Sequence, residues 1–131
     1  MEMQIVLPGG AQVDAVMPGG MVITTHQDGS APAPFGLFLA SIGTCAGIYV
    51  ASFCQQRGLP TEDIRIIQRN RTNPMTRMVE EIELDIQLPP DFPEAYKDAV
   101  IRSASLCAVK KHLENPPRFD VHTSVRTLES A

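Results

Sequence analysis

The sequence predicts a small α+β protein that folds as one domain. Three observations lead to this prediction. Short strand patterns broken by glycine-rich turns open the chain, one long uncharged helix pattern follows, and further strand and helix patterns come after it. At 131 residues the chain can bury one hydrophobic core and leaves little for a second. We therefore interpret residues 1–131 as a single domain.

The N-terminal part is predicted to form β-hairpins. Two Pro-Gly-Gly segments, residues 8–10 and 18–20, separate short stretches of β-forming residues. Turn residues at this spacing are typical of antiparallel strands. The predicted strands are Gln4–Leu7, Gln12–Met17 and Met21–Thr25.

A charge-free segment, Phe35–Cys54, follows a proline-rich connection and predicts one long helix that ends near Gly58. It meets the length criterion for a membrane span, roughly 20 residues, but small and polar residues dilute its hydrophobicity, so we favour a soluble protein without membrane contact. A helix that is apolar all round must be buried all round, and this one would run ~30 Å, about the diameter of a small domain. We therefore expect a second subunit to cover its remaining face, which predicts a homodimer.

The second half of the sequence predicts a hairpin, two short helices and a last strand. Residues 81–88 alternate strictly between polar and apolar side chains, which indicates a strand with one wet face. Ser103 or Ser105 is the candidate N-cap of the second short helix. The predicted elements are strands over 64–71 and 77–88, helices over 93–103 and 106–113, and a C-terminal strand over Phe119–Arg126.

Charge and composition exclude several classes of function. The chain carries 11 Lys and Arg against 15 Asp and Glu, and the basic residues are scattered, so nucleic acid and anionic membranes are not expected partners. No basic and apolar leader opens the sequence, and a cytoplasmic location is the default expectation. His26, His112 and His122 show no ligand spacing, so no metal and no cofactor is predicted.

The three cysteines are the candidates for chemistry. An odd number without close spacing fits neither a disulfide framework nor a structural zinc site, so free or reactive thiols remain. Cys45 lies in the uncharged helix among small residues; it is either a small buried hydrophobe or a sulfur that a ligand can approach closely. Cys54 falls on the opposite face of the same helix, and we assign it to packing.

Cys107 lies at a predicted helix start. Unpaired N–H groups and the positive end of the helix dipole favour a thiolate there. On this argument Cys107 is a better candidate than Cys45 for a lowered pKa, and the alternative is a buried Cys with no special role. A disulfide between Cys45 and Cys107 would join different elements and is geometrically possible. An intrahelical bridge from Cys45 to Cys54 is not possible, because the two residues lie on opposite faces of the helix.

Two cysteine-containing segments resemble the osmotically inducible protein C family, which includes organic hydroperoxide resistance proteins. The first is Pro34–Cys45, at the start of the long helix. The second is the Ala-Ser-Leu-Cys-Ala-Val-Lys-Lys stretch around Cys107, with Ala108 in place of a proline of the family pattern. The order of elements is similar over nearly the whole chain. The resemblance implies an intertwined homodimer that buries the central helices at its interface.

The resemblance also implies thiol peroxidase chemistry. In the peroxidases of the family, the first cysteine attacks an organic hydroperoxide as a thiolate and becomes a sulfenic acid; the second converts it to a disulfide, which a dithiol such as a lipoyl group reduces. By this resemblance Cys45 is the peroxidatic thiol and Cys107 the resolving one. The alternatives are a non-catalytic member that binds a small apolar ligand or senses oxidants through the same pair, and a purely structural protein.

A cation beside the first cysteine is a further implication of the resemblance. The peroxidases of the family use an Arg from the N-terminal strands and a Glu ten residues before that cysteine. Here the Glu position holds Phe35, and no Arg or Lys precedes Arg57. A buried thiol without a nearby cation has a raised pKa and reacts slowly. Arg69, Arg71 and Arg77 of the predicted hairpin are the candidate substitutes.

Overall fold

The computed structural model describes residues 1–128 and shows the predicted α+β arrangement. Three antiparallel strands, β1 (Gln4–Gly9), β2 (Gln12–Val16) and β3 (Val22–Thr25), form a sheet in the order β1-β2-β3. The glycines of both Pro-Gly-Gly turns adopt positive φ angles, which explains why glycine stands there. The long helix α1 (Pro34–Gln56) follows and confirms the predicted uncharged helix.

A second antiparallel pair, β4 (Arg65–Thr72) and β5 (Val79–Gln87), confirms the predicted hairpin. After a short 3-10 turn come α2 (Lys97–Ala104) and α3 (Ala108–Glu114). The predicted serine cap of α3 is wrong, because the N-cap position belongs to Cys107. Ser103 and Ser105 lie within and just after α2, and their hydroxyls donate to backbone carbonyls instead.

The core lies between α1, α2 and the inner face of the β4–β5 hairpin. Val100 of α2 is fully buried, and Phe92 of the preceding loop packs into the same cluster. Ile66 and Leu84 of the hairpin close the cluster from the other side. The face of α1 that enters this core carries Ala46, Val50, Phe53 and Cys54.

The opposite face of α1 is open in the single chain. Ile48 is 68% exposed, and the stacked rings of Phe35 and Phe38 are also exposed. By length and composition α1 could cross a membrane, and 28% of its most apolar 18-residue stretch is buried within the protein. An uncharged helix with one free face requires a further apolar surface to cover it.

The N-terminal sheet is open as well. Ile5 and Leu7 of β1 are 59% and 75% exposed. The strand register places Ile5, Ala15 and Ile23 side by side, so one face of the sheet is apolar across all three strands. This face and the free face of α1 are both uncovered apolar surfaces of the described chain.

The C-terminal segment differs from the sequence prediction. Residues 115–128 belong to no helix or strand, and Phe119, Val121 and Val125 are 84%, 92% and 98% exposed. A strand exists only when its backbone pairs with a neighbour, and this segment reaches no strand of the described chain. The alternating pattern of Phe119–Arg126 therefore does not produce a strand within the single chain.

Candidate thiol site

The fold brings Cys45 and Cys107 together. Cys45 lies in the middle of α1, and Cys107 lies at the N-cap of α3, which contacts α1. Cys107 is 2% exposed, and its Sγ is 4.0 Å from the carbonyl oxygen of Ile42, almost one turn before Cys45. Cys45 itself is half-buried, and both residues are free thiols. Of the two thiols, Cys45 is therefore the one a reactant can reach directly.

Helix α2 holds this arrangement in place. The hydroxyl of Ser103 donates to the carbonyl oxygen of Tyr49 at 3.2 Å, one turn after Cys45. Ala104 is buried against the same helix, and the chain then turns at Ser105 to reach Cys107. Contacts before and after Cys45 along α1 thus fix the start of α3 beside its sulfur.

The two thiols influence each other's protonation in opposite directions. The Cys107 thiol donates a hydrogen bond to the Cys45 sulfur and lowers the pKa of Cys45, and the backbone N–H groups of Val109 and Ala108 act in the same direction. Burial raises the pKa of Cys107, and its bond to Cys45 raises it further. Cys45 is therefore the better thiolate, and Cys107 is its proton-bearing partner.

The prediction that Cys107 has the lowered pKa is wrong. The N–H groups at the start of α3 do bond to sulfur, and some of them favour the Cys107 thiolate, but burial of Cys107 outweighs them. The neighbouring Cys45 sulfur receives the same kind of bonds with less burial. The sequence predicts that Cys107 lies at a helix start, but it does not show which sulfur the free N–H groups of that helix face.

Cys54 has a different environment. It is fully buried in the core cluster, and burial raises the pKa of its thiol despite the opposing charge of Arg57. The Arg57 guanidinium lies 3.7 Å above the Phe53 ring and closes this end of α1. This placement agrees with the packing role assigned from the sequence.

Two of the three candidate arginines of the hairpin are engaged in exposed ion pairs. Arg69 and Arg71 make ion pairs of 2.8 and 2.9 Å with carboxylates of β5 on an exposed face. Arg77 lies in the turn between the strands with a φ of 63°. Over residues 1–128, the groups that lower the pKa of Cys45 are a thiol and backbone N–H groups, and no cation is among them.

Two grooves flank α1, and the sequence indicated one of them, because the small residues around Cys45 were expected to leave room for a ligand and Gly43, Thr44 and Gly47 line the first groove. One, of about 470 Å³, lies between α1 and β4 and includes Gly43 and Gln68. The Gln68 amide donates to the carbonyl oxygen of Leu39 at 2.9 Å and so fixes β4 against the helix that carries Cys45. The other groove, of about 620 Å³, runs along β5 and reaches Cys107. No signal in the sequence distinguishes Gln68 from the other polar strand residues.

Comparison with known proteins agrees with this fold. A family model described as OsmC-like protein matches residues 27–122. A candidate osmotic stress induced and detoxification response protein from Psychrobacter arcticus superposes with a TM-score of 0.69 at 16% identity, over 83% of this chain and 85% of that one. An OsmC-like protein from Mycoplasma pneumoniae superposes with a TM-score of 0.60 at 14% identity, over 88% and 87% of the two chains.

An OsmC-like protein of unknown function from Vibrio cholerae has a TM-score of 0.59 at 10% identity, over 87% of this chain and 94% of that one. At these identities the solved structures show a shared fold and nothing further. No curated protein matches the sequence. Because the family model covers most of the sequence, the chain belongs to the OsmC-like protein family.

Proposed function

We propose that the protein is a thiol peroxidase that reduces organic hydroperoxides through Cys45 and Cys107. The observation that supports this most directly is the thiol pair itself. A half-exposed thiol with a lowered pKa contacts a buried thiol that donates to it. The thiolate is the nucleophilic form of cysteine, and a second thiol within reach allows a disulfide to form.

The proposed cycle has three balanced steps. The Cys45 thiolate attacks the terminal oxygen of the hydroperoxide, the O–O bond breaks, and the departing alkoxide takes a proton to leave as an alcohol. The Cys107 sulfur then attacks the Cys45 sulfenic acid, and its thiol proton and the sulfenic hydroxyl leave as water. A dithiol reduces the resulting disulfide by two exchange steps, returns both cysteines to thiols and becomes a cyclic disulfide itself.

The proposal includes a homodimer in the cytoplasm. The uncharged outer face of α1 and the apolar face of the N-terminal sheet both lack cover in the single chain. A second copy supplies two equivalent surfaces of the same kind, as closed two-fold symmetry requires. A reducing cytoplasm keeps the free thiols available for the cycle.

Consumption of an organic hydroperoxide with a dithiol reductant tests the activity. Wild type and Cys54→Ser should turn over, Cys45→Ser should be inactive, and Cys107→Ser should lose the disulfide step and accumulate the Cys45 sulfenic acid, which dimedone traps. Cys54 is the matched control because its sulfur is buried in the core, away from the pair. Undiminished consumption by Cys45→Ser would refute the proposal.

A second candidate function is oxidant sensing without turnover. It is favoured by the nature of the groups that lower the Cys45 pKa, since within the described chain they are a thiol and N–H groups and include no cation. In a sensor the disulfide forms once, and the dithiol does not regenerate the thiols at a useful rate. Repeated additions of hydroperoxide distinguish the two, because a peroxidase consumes each addition and a sensor consumes one equivalent.

A further inference from the structure

The first step of the proposed cycle needs a proton. When the Cys45 thiolate breaks the O–O bond of a hydroperoxide, the departing alkoxide must be protonated to leave as an alcohol. An alkoxide is a far stronger base than a thiolate, so a donor that meets it in the transition state lowers the barrier. The groups around Cys45 therefore decide how easily the O–O bond breaks.

Cys107 supplies the one transferable proton among the groups that bond to the Cys45 sulfur within residues 1–128. These groups are the Cys107 thiol and the backbone N–H groups of Val109 and Ala108. A backbone N–H stabilises negative charge but keeps its proton, whereas a thiol is an acid of moderate strength.

Two hydroxyl groups close to Cys45 in sequence are bonded to the helix itself. Ser41 donates to the carbonyl oxygen of Phe38 at 2.6 Å, and Thr44 donates to that of Ala40 at 2.9 Å. Such bonds hold the hydroxyl hydrogen against the backbone of α1. A hydroxyl is also a much weaker acid than a thiol, so these side chains are poor proton donors to an oxygen on Cys45.

The Cys107 thiol is held in place for this role. It is 2% exposed, and its Sγ is 4.0 Å from the carbonyl oxygen of Ile42. Both acceptors of its hydrogen, this oxygen and the Cys45 sulfur, belong to α1, so the proton stays beside the reacting sulfur. Burial raises the pKa of Cys107, while that of Cys45 is lowered, which is the arrangement expected of an acid beside a nucleophile.

We propose that Cys107 is the general acid of the first step as well as the resolving thiol of the second. As the Cys45 sulfur bonds to the terminal oxygen and the O–O bond breaks, the S–H bond of Cys107 breaks and its proton goes to the leaving oxygen, directly or through one water molecule. The products are an alcohol, the Cys45 sulfenic acid and a Cys107 thiolate. The Cys45 sulfur is oxidised by two electrons, and the peroxide is reduced by the same two.

The proton transfer leaves Cys107 in the form that the second step needs. A thiolate is the nucleophile that attacks the sulfenic sulfur, and the backbone N–H groups of Lys110 and Val109 favour the thiolate of Cys107. The sulfenic hydroxyl then leaves as water with the proton that the ionisation of Cys45 had released to solvent. Negative charge thus passes from one sulfur to the other beside a shared group of N–H donors.

A comparison of two leaving groups tests the acid role. The loss of the Cys45 thiol is timed by mass spectrometry after addition of tert-butyl hydroperoxide and, separately, of iodoacetamide. Iodide leaves without a proton, so the ratio of the two rate constants at one pH cancels changes in Cys45 ionisation. The inference rests on the proposed reaction with hydroperoxides, and the iodoacetamide rate shows whether Cys45 is reactive at all.

We expect Cys107→Ala and Cys107→Ser to lower this ratio by about tenfold or more, because neither side chain is an acid of thiol strength. Tyr49→Phe is the matched control: it removes a phenol one turn after Cys45 and should keep the wild-type ratio. A wild-type ratio in either Cys107 variant would overturn the acid role alone. Wild-type protein that is alkylated but not oxidised at Cys45 would overturn the proposed function as well.

The pH dependence of the oxidation gives a second readout. The wild-type rate should rise as Cys45 ionises and fall at higher pH as Cys107 ionises, because the reaction needs one thiolate and one thiol. Cys107→Ala should keep the rise, moved to higher pH, and lose the fall. A fall that persists in Cys107→Ala would overturn the proposal.

The fall must be assigned against the neighbouring titratable groups. Glu83, Asp85 and Lys110 line the groove that reaches Cys107, and Tyr49 follows Cys45 by one turn. The two carboxyl groups ionise at much lower pH, which leaves the lysine and the tyrosine as alternatives. Lys110→Gln and Tyr49→Phe should therefore both retain the fall, and its loss in either variant would overturn the assignment to Cys107.

Discussion

Replacing Gly43 with alanine tests how the β4–β5 hairpin is fixed to the helix that carries Cys45. A Cβ atom at Gly43 would overlap the side-chain oxygen of Gln68, whose amide nitrogen donates to Leu39. A Cβ atom at Gly47 would meet the Cδ1 of Ile66 at 3.8 Å, an ordinary contact. The two glycines lie one turn apart on the same helix, so each is the control for the other.

The magnitudes follow from two opposing terms. An alanine in place of a glycine inside a helix stabilises it by about 1 kcal/mol. Displacing Gln68 removes a hydrogen bond with a net contribution of about 1 kcal/mol. Gly43→Ala should therefore leave the free energy of unfolding nearly unchanged, while Gly47→Ala should raise it by about 1 kcal/mol. In a Gln68→Ala background, Gly43→Ala should stabilise as Gly47→Ala does.

Urea unfolding at one fixed protein concentration measures these differences. The double-mutant cycle between Gly43 and Gln68 should give a coupling free energy of about 1 kcal/mol, and the cycle between Gly47 and Gln68 should give a coupling near zero. Equal stabilisation by alanine at both glycines in the wild-type background would refute the assigned role of Gln68.

Three further predictions concern the thiols and the open helix face. Cys107→Ala should raise the pKa of Cys45 because it removes the thiol donor, whereas Cys107→Ser keeps a donor. The midpoint of the pH dependence of Cys45 alkylation should therefore move to higher pH in the alanine variant alone. Cys54→Ser places a hydroxyl in the core and should cost about 1–3 kcal/mol, more than Cys45→Ser, in urea unfolding. Ile48→Glu should weaken the proposed homodimer in sedimentation experiments, and Met75→Glu at the exposed hairpin turn should not. Each prediction has an outcome that would contradict it. These are an unchanged Cys45 pKa in Cys107→Ala, equal free energies of unfolding for Cys54→Ser and Cys45→Ser, and an unchanged proportion of dimer in Ile48→Glu.

Much of the fold could be predicted from the sequence because its signals are local. The two Pro-Gly-Gly turns, the uncharged run of α1 and the alternation in β5 each depend on near neighbours in the chain. The segment Phe119–Arg126 has an equally clear strand pattern but forms no strand in the single chain. Whether such a pattern becomes a strand depends on an edge elsewhere, which the segment itself does not encode.

The site was less predictable than the fold. The pairing of Cys45 with Cys107 was suggested by family resemblance, since nothing in their spacing brings two distant residues together. The direction of their pKa shifts depends on burial and on which sulfur the N–H groups of Val109 and Ala108 face, and both are properties of packing. Gln68 was missed for the same reason, because its contact with Leu39 joins two elements far apart in sequence.

A single-turnover experiment tests the central claim most directly. Fully reduced protein is treated with one equivalent of an organic hydroperoxide, quenched with an alkylating reagent and mapped by mass spectrometry. We predict a chain lighter by two hydrogens before alkylation, one peptide pair joined through Cys45 and Cys107, and Cys54 alkylated after unfolding in the quench. Recovery of Cys45 as an unoxidised thiol, or a disulfide that includes Cys54, would contradict the assignment of Cys45 and Cys107 as the reactive pair.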